Sequence, residues 1–114
     1  MWRKDEWVRL SHLRDHAREA LEMARGRTRA DLDENRMLEL ALVRLLEVVG
    51  EAASRVSTDT RQAYPNVPWS QIVALRNRLI HGYDNVDLDV LWAILRDDLP
   101  VLLAQIEAIL QQHD

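Results

Sequence analysis

Residues 38–56 read LELALVRLLEVVGEAASRV, and the spacing of their apolar side chains decides the fold class. Leu38, Leu42, Leu45, Val49, Ala52 and Val56 recur at three- and four-residue steps. That spacing stacks them on one face of a helix. The other face carries charges at helical spacing, Arg44 with Glu47 and Glu51 with Arg55, as a solvated surface does. Gly50 costs a helix roughly 1 kcal/mol relative to Ala. Its presence therefore points to a close approach by another backbone. Asp31 or Asp33 stands where a short carboxylate caps the start of this helix, and the helix is expected to fray near residues 57–59.

The same periodicity extends in both directions. Leu10, Leu13, Ala17, Ala20, Leu21 and Ala24 predict a first helix over residues 7–24, stopped at Gly26. Tyr64-Pro65-Asn66-Val67-Pro68 breaks the long helix, and Pro68 suits the first turn of a third. That helix is expected to reach about His81, where Gly82 ends it. Asn85 or Asp87 then caps a fourth helix bearing Leu88, Leu91, Leu95, Leu99, Leu102, Ile106 and Ile109. Pro100 predicts a kink near Leu99. The expectation is an all-α, antiparallel up-and-down four-helix bundle, as one domain over residues 1–114.

Composition agrees with this and excludes much else. With 114 residues, 47% hydrophobic and 30% charged, the chain has the size and balance of one globular domain. Three Gly and three Pro are too few for the turns of an all-β fold. The absence of Cys excludes disulfides, thiolate metal sites and a Cys nucleophile. The start of the chain is too charged for a signal peptide. No run approaches the roughly 18 apolar residues of a membrane span, so a cytoplasmic protein without a membrane partner is expected. The net charge is −4, but it is unevenly spread. Residues 54–83 hold Arg55, Arg61, Arg76 and Arg78 against Asp59 alone. This segment is where an anion site would lie, since a globally acidic chain disfavours non-specific nucleic-acid binding.

On a wheel of the third helix at about 100° per residue, Arg78 falls on the wet face beside Gln71. Arg76 falls inside the apolar arc. A guanidinium there must be paired or serve a site. One reading is structural, an ion pair with a carboxylate such as Glu51. The other is functional. Asn77 and His81 follow on one edge of the stripe. His81 at a helix end would sit among unpaired carbonyls that favour a protonated ring, or His-Gly-Tyr serves only as a helix stop with Tyr83 folded back. An Arg–His pair without metal ligands suits RNA cleavage by the internal 2′-hydroxyl, with His moving protons and Arg holding phosphoryl oxygens. The two positions lie about 140° apart on an ideal helix, so a long side chain or a second copy of the chain must close the gap. His12 and His16, four apart, lack a third metal ligand and read as a solvated face. Trp2, Trp7, Trp69 and Trp92 read as packing anchors, and His113 as part of a fraying tail.

The string Arg76-Asn77-Arg78-Leu79-Ile80-His81-Gly82-Tyr83 resembles the Arg-x4-His-x-Tyr signature of the HepT-like toxin family of the HEPN superfamily. Val49-Gly50-Glu51-Ala52, Pro65-Asn66-Val67-Pro68-Trp69 and Asp84-Asn85-Val86-Asp87 flank it in keeping, and the likeness runs over residues 42–103. The resemblance implies a helical homodimer with a composite cleft between motif helices, acting as a metal-independent ribonuclease toxin that needs no cofactor. Arg76 and His81 would take the catalytic positions, with Asn77 in support. Glu51 and Arg78 would play structural or RNA-contacting parts, and Arg44, Arg55 and Arg78 are candidates for an RNA-recruiting patch. The partner implied is a nucleotidyltransferase antitoxin of the MntA type, which transfers AMP to the motif tyrosine, here Tyr83. The alternative is a non-catalytic subunit that holds a nucleotide or substrate for such an enzyme, and a third reading leaves the motif a dimer-forming role only.

Overall fold

The structure is a computed structural model and describes residues 4–83 and 85–113. It is an all-α bundle with one minimal hairpin. Helix α1 (Lys4–Ala24) packs along α3 (Arg36–Ser54) and along the long C-terminal helix. That last helix comprises α7 (Leu88–Ala93), a wider turn (Ile94–Asp98) and α8 (Leu99–Gln112). Short helices fill the connections: α2 (Arg29–Glu34), α4 (Thr58–Ala63), α5 (Trp69–Val73) and α6 (Leu75–Leu79). Between α6 and α7 the chain forms β1 (Ile80–His81) and β2 (Asn85–Val86), paired antiparallel. The predicted stripes make the core: Leu10, Leu13, Ala17 and Ala20 meet Leu42, Leu46, Val49 and Ala53, and Leu91, Ile94, Leu99 and Ile106 complete it. Among the described residues, no helix is long and apolar enough to cross a membrane.

Three expectations about helix ends need correction. The start of α3 is capped by Asn35, whose side chain accepts from the Leu38 amide at 3.0 Å. Asp31 instead accepts from the Thr28 amide at 2.7 Å, closing the first turn of α2. Residues 57–59 do not fray. Ser57 caps the separate helix α4, accepting from the Thr60 amide. The C-terminal tail is also held, because the Tyr64 hydroxyl bonds Gln112 and His113, each at 2.9 Å. Trp69 is buried, donating from Nε1 to the Tyr64 carbonyl, while Trp7 and Trp92 are half-buried; Trp2 and Asp84 lie outside the described residues.

Two other features follow from local chemistry. Pro100 has no amide hydrogen, and its ring would clash with the carbonyl of Arg96 in a regular α-helix. The helix widens just before it, and the Leu99 amide reaches back five residues to the Ile94 carbonyl. The expected disturbance is therefore a π-turn with the helix running on through it. At Gly50, an added Cβ would lie 3.1 Å from the Ile72 carbonyl oxygen and 3.6 Å from that of Val73. The close backbone approach inferred from that glycine is the contact of α3 with the end of α5.

One carboxylate is buried that no periodicity marks. Glu6 on α1 is 1% exposed. Its Oε1 accepts from the Ser57 amide at 2.8 Å and the Ser57 hydroxyl at 2.7 Å, and Arg9 stands 3.6 Å from Oε2. Burial raises its pKa, but the bonds from Thr60 and Ser57, with the Arg9 charge, outweigh burial and hold it below 4.5. A depressed carboxylate contributes stability above its unfolded pKa and loses it as pH falls through the folded value. Glu6→Gln should therefore cost about 2 kcal/mol at neutral pH. Denaturant titrations should show that difference constant above about pH 5.5 and shrinking below pH 4.5; a difference unchanged at pH 3 would contradict the ionised assignment.

Candidate active site

The site is built where α6 ends. Ala74, at φ −85° and ψ 5°, separates α5 from α6, so the two do not share one continuous wheel. The buried arc is Trp69, Ile72, Leu75 and Leu79. Val73 is 38% exposed, and the Arg76 side chain is 67% exposed. Arg76 is therefore not a core residue of the single chain. Its Nε lies 3.1 Å from Glu47 Oε2 on α3, so the carboxylate is Glu47 rather than Glu51. Glu51 keeps the predicted partner Arg55, at 3.0 Å.

Arg78, two residues on, projects about 200° away around the helix. It pairs with Asp98 at 3.2 Å and lines a cleft of about 310 Å³ floored by Ile72, Leu75, Ile94 and Leu102. Arg76, His81 and Tyr83 do not line this cleft. Arg55 and Arg78 are thus held by carboxylates of different elements, and Arg44 is exposed on α3. Asn77 is exposed beside Arg76 in sequence.

His81 is not at a helix end. Helix α6 stops at Leu79, and Ile80 is already extended at φ −112° and ψ 120°. The reason is the return of the chain: the Asp87 amide donates to the Leu79 carbonyl at 2.8 Å, satisfying a group that further helix would otherwise use. Gly82 does take the left-handed conformation, φ +72°, but in the turn of a hairpin with Ile80 opposite Val86 and His81 opposite Asn85. This turn carries Tyr83 to its tip, fully exposed at 102%, so the tyrosine does not fold back on the helix.

The hairpin gives His81 a neighbour that the helical reading missed. Nε2 stands 3.5 Å from Asp87 Oδ2. The other oxygen, Oδ1, caps α7 by accepting from the Val90 amide at 3.1 Å. The sequence marks Asp87 as a helix cap and as part of the motif's flank, and Glu47 as a partner of Arg44, but it pairs neither with His81 or Arg76. No local periodicity links Asp87 to His81, because each strand of the hairpin is only two residues long. His16 Nδ1 bonds the His12 carbonyl at 2.8 Å, a local use of that ring. Among the described residues, no group of three or more His, Asp or Glu is placed to hold a metal ion.

The family model for ribonuclease HepT-like proteins matches residues 13–109. A protein of Methanocaldococcus jannaschii named as a candidate RNase is 33% identical over 109 residues, covering 96% of this chain and 100% of its own. A candidate RNase of Caldanaerobacter subterraneus subsp. tengcongensis is 31% identical, over 91% of this chain and 93% of its own. A candidate ribonuclease HepT of Thermococcus cleftensis is 35% identical over 71 residues, 62% of this chain and 64% of its own. No solved structure matches.

Since the Arg76–Glu47 pair is exposed, it contributes at most about 1 kcal/mol. Arg76→Ala should shift the thermal midpoint by no more than about 4 °C. A loss of 10 °C or more in calorimetry would instead make Arg76 a structural residue.

Proposed function

The chain belongs to the ribonuclease HepT-like family, and from that premise we propose that it is a metal-independent endoribonuclease whose site is centred on Arg76 and His81. The observation that carries the reading is the combination of a family match over residues 13–109 with a guanidinium and an imidazole both exposed on the helix–hairpin unit. In the proposed step, His81 takes the proton of a ribose 2′-hydroxyl. The O2′–P bond forms, the P–O5′ bond breaks, and the departing O5′ receives a proton from imidazolium or water. The products are a 2′,3′-cyclic phosphate and a 5′-hydroxyl. Arg76, the exposed member of its pair with the half-buried Glu47, exchanges that carboxylate for the phosphoryl oxygens, which costs little because a pair open to solvent is weak; its planar donors suit phosphate.

Two copies of the chain complete the cleft in this reading. Val73 lies exposed near Arg76 in sequence, and α3 carries Leu40 and Met37, 49% and 81% exposed, about two and three turns before Glu47. These apolar side chains support a homodimer contact bordering Arg76. The role is that of a toxin in a prokaryotic toxin–antitoxin pair. A nucleotidyltransferase antitoxin of the MntA type silences it by joining AMP from ATP to the Tyr83 phenol oxygen and releasing pyrophosphate. Full exposure of that ring two residues from His81 supports an accessible acceptor, and a phosphate ester there would repel RNA. Asn77 supports the motif helix from its exposed position beside Arg76.

The test is cleavage of RNA in EDTA by protein whose intact mass excludes AMP, beside His81→Ala. General acid–base catalysis contributes about 10²–10⁴-fold, so the variant should lose at least about 100-fold while keeping helicity and assembly. Intact RNA with clean wild-type dimer, together with retained nucleotide binding, would favour the non-catalytic subunit, a reading that the net charge of −4 supports.

A further inference from the structure

We infer that Asp87 is the positioning residue of His81, holding the Nε2–H of the neutral ring so that Nδ1 is the atom that accepts the 2′-hydroxyl proton. This rests on the ribonuclease reading for its consequence in catalysis, but its geometry stands apart from that reading.

The placement follows from the pleat. In an antiparallel pair, side chains on one face include the directly opposite residue and the diagonal neighbour two positions on. His81 is opposite Asn85, and Asp87 is the diagonal neighbour on the same face. Ile80 and Val86 form the other pair, both half-buried against the core. The hairpin thus turns His81 outward and sets Asp87 beside it, Oδ2 3.5 Å from Nε2. Three restraints fix that carboxylate. Its backbone amide donates to the Leu79 carbonyl at 2.8 Å. Its Oδ1 is committed to the Val90 amide at 3.1 Å, at the first turn of α7. Its side chain is less exposed than the imidazole, 35% against 56%. Only Oδ2 remains for His81, 3.5 Å from Nε2. Catalytic hydrogen bonds are commonly long before substrate binds.

The tautomer of a histidine is set by the bond that its other nitrogen makes. A carboxylate accepts but does not donate, so Nε2 beside Asp87 keeps its hydrogen and Nδ1 presents its lone pair. After Nδ1 takes the proton, the imidazolium lies next to a carboxylate. Asp87 neither touches the phosphodiester nor changes its own protonation.

Asparagine separates this role from capping. Asn caps as well as Asp, so Asp87→Asn keeps the Val90 bond through its oxygen. It turns an amide donor toward Nε2, which forces the ring hydrogen onto Nδ1 and removes the base. Nitrogen-15 NMR at pH 8.5, with the ring assigned by comparison with His81→Ala, should show the hydrogen on Nε2 in wild type and on Nδ1 in Asp87→Asn. The same variant should lose about tenfold or more in kcat, with KM and the melting temperature within error. Asp87→Ser, which caps but does not reach the ring, should also lose kcat. An unchanged tautomer in Asp87→Asn, or full kcat in both variants, would overturn the assignment. If wild type cleaves no RNA, the ribonuclease reading fails by itself, and the tautomer comparison still decides whether Asp87 orients His81.

Discussion

The structure depends on how closely α3 admits the chain that carries the motif. At Gly50 the Ile72 carbonyl stands 3.1 Å from where a Cβ would be, a separation that backbone cannot relieve by rotating a side chain. The glycine lowers the intrinsic stability of α3, and in return the α5–α6 junction lies directly against it. With the junction seated, Ile72, Leu75 and Leu79 fill the core, and Arg76 emerges beside Glu47 on the same helix that bears the glycine. The position of the cation is thus a consequence of backbone packing, not of the salt bridge, which is too exposed to hold anything by itself.

Beyond α6 the chain changes from helical to extended geometry within one residue, and this change sets where His81 lies. If the helix had continued to His81, the ring and Arg76 would point about 140° apart. The Asp87 amide instead captures the Leu79 carbonyl, and the hairpin places His81, Asp87 and the tip residue Tyr83 on a short projection stapled to two helix ends. Asp87 ties this projection to both helices, bonding the Leu79 carbonyl through its amide and capping α7 through its side chain. Arg76 and His81 remain open to solvent, which suits a polymeric substrate better than an enclosed pocket would.

Much of this was legible in the sequence, for reasons that can be stated. The long stripes of α1, α3 and α8 repeat over several turns, so their periodicity survives any local irregularity. Gly50 and Pro100 carry backbone chemistry that reads without a structure, and each occurs beside the disturbance expected of it. The hairpin was illegible because two-residue strands have no period to detect, and Gly82 fits a helix stop as readily as a turn. A single wheel puts Arg76 in the apolar arc only by running across Ala74, where the helix is interrupted; the buried arc is narrower, and Arg76 shares its exposed edge with Val73. Glu6 was hidden for another reason. Its burial depends on Ser57, 51 residues away, and no local pattern encodes a partner at that range.

The chemistry of the product ends addresses the central claim most directly. An imidazole and a guanidinium acting through the substrate's own 2′-hydroxyl must leave a 2′,3′-cyclic phosphate and a 5′-hydroxyl, and a single 2′-deoxy nucleotide at the cleaved position must block the cut. Mass spectrometry of fragments from a defined oligoribonucleotide, cut by unmodified protein, should find those ends and that block. Fragments bearing 3′-hydroxyl and 5′-phosphate ends, or cleavage that persists at the 2′-deoxy position, would contradict the role given to Arg76 and His81.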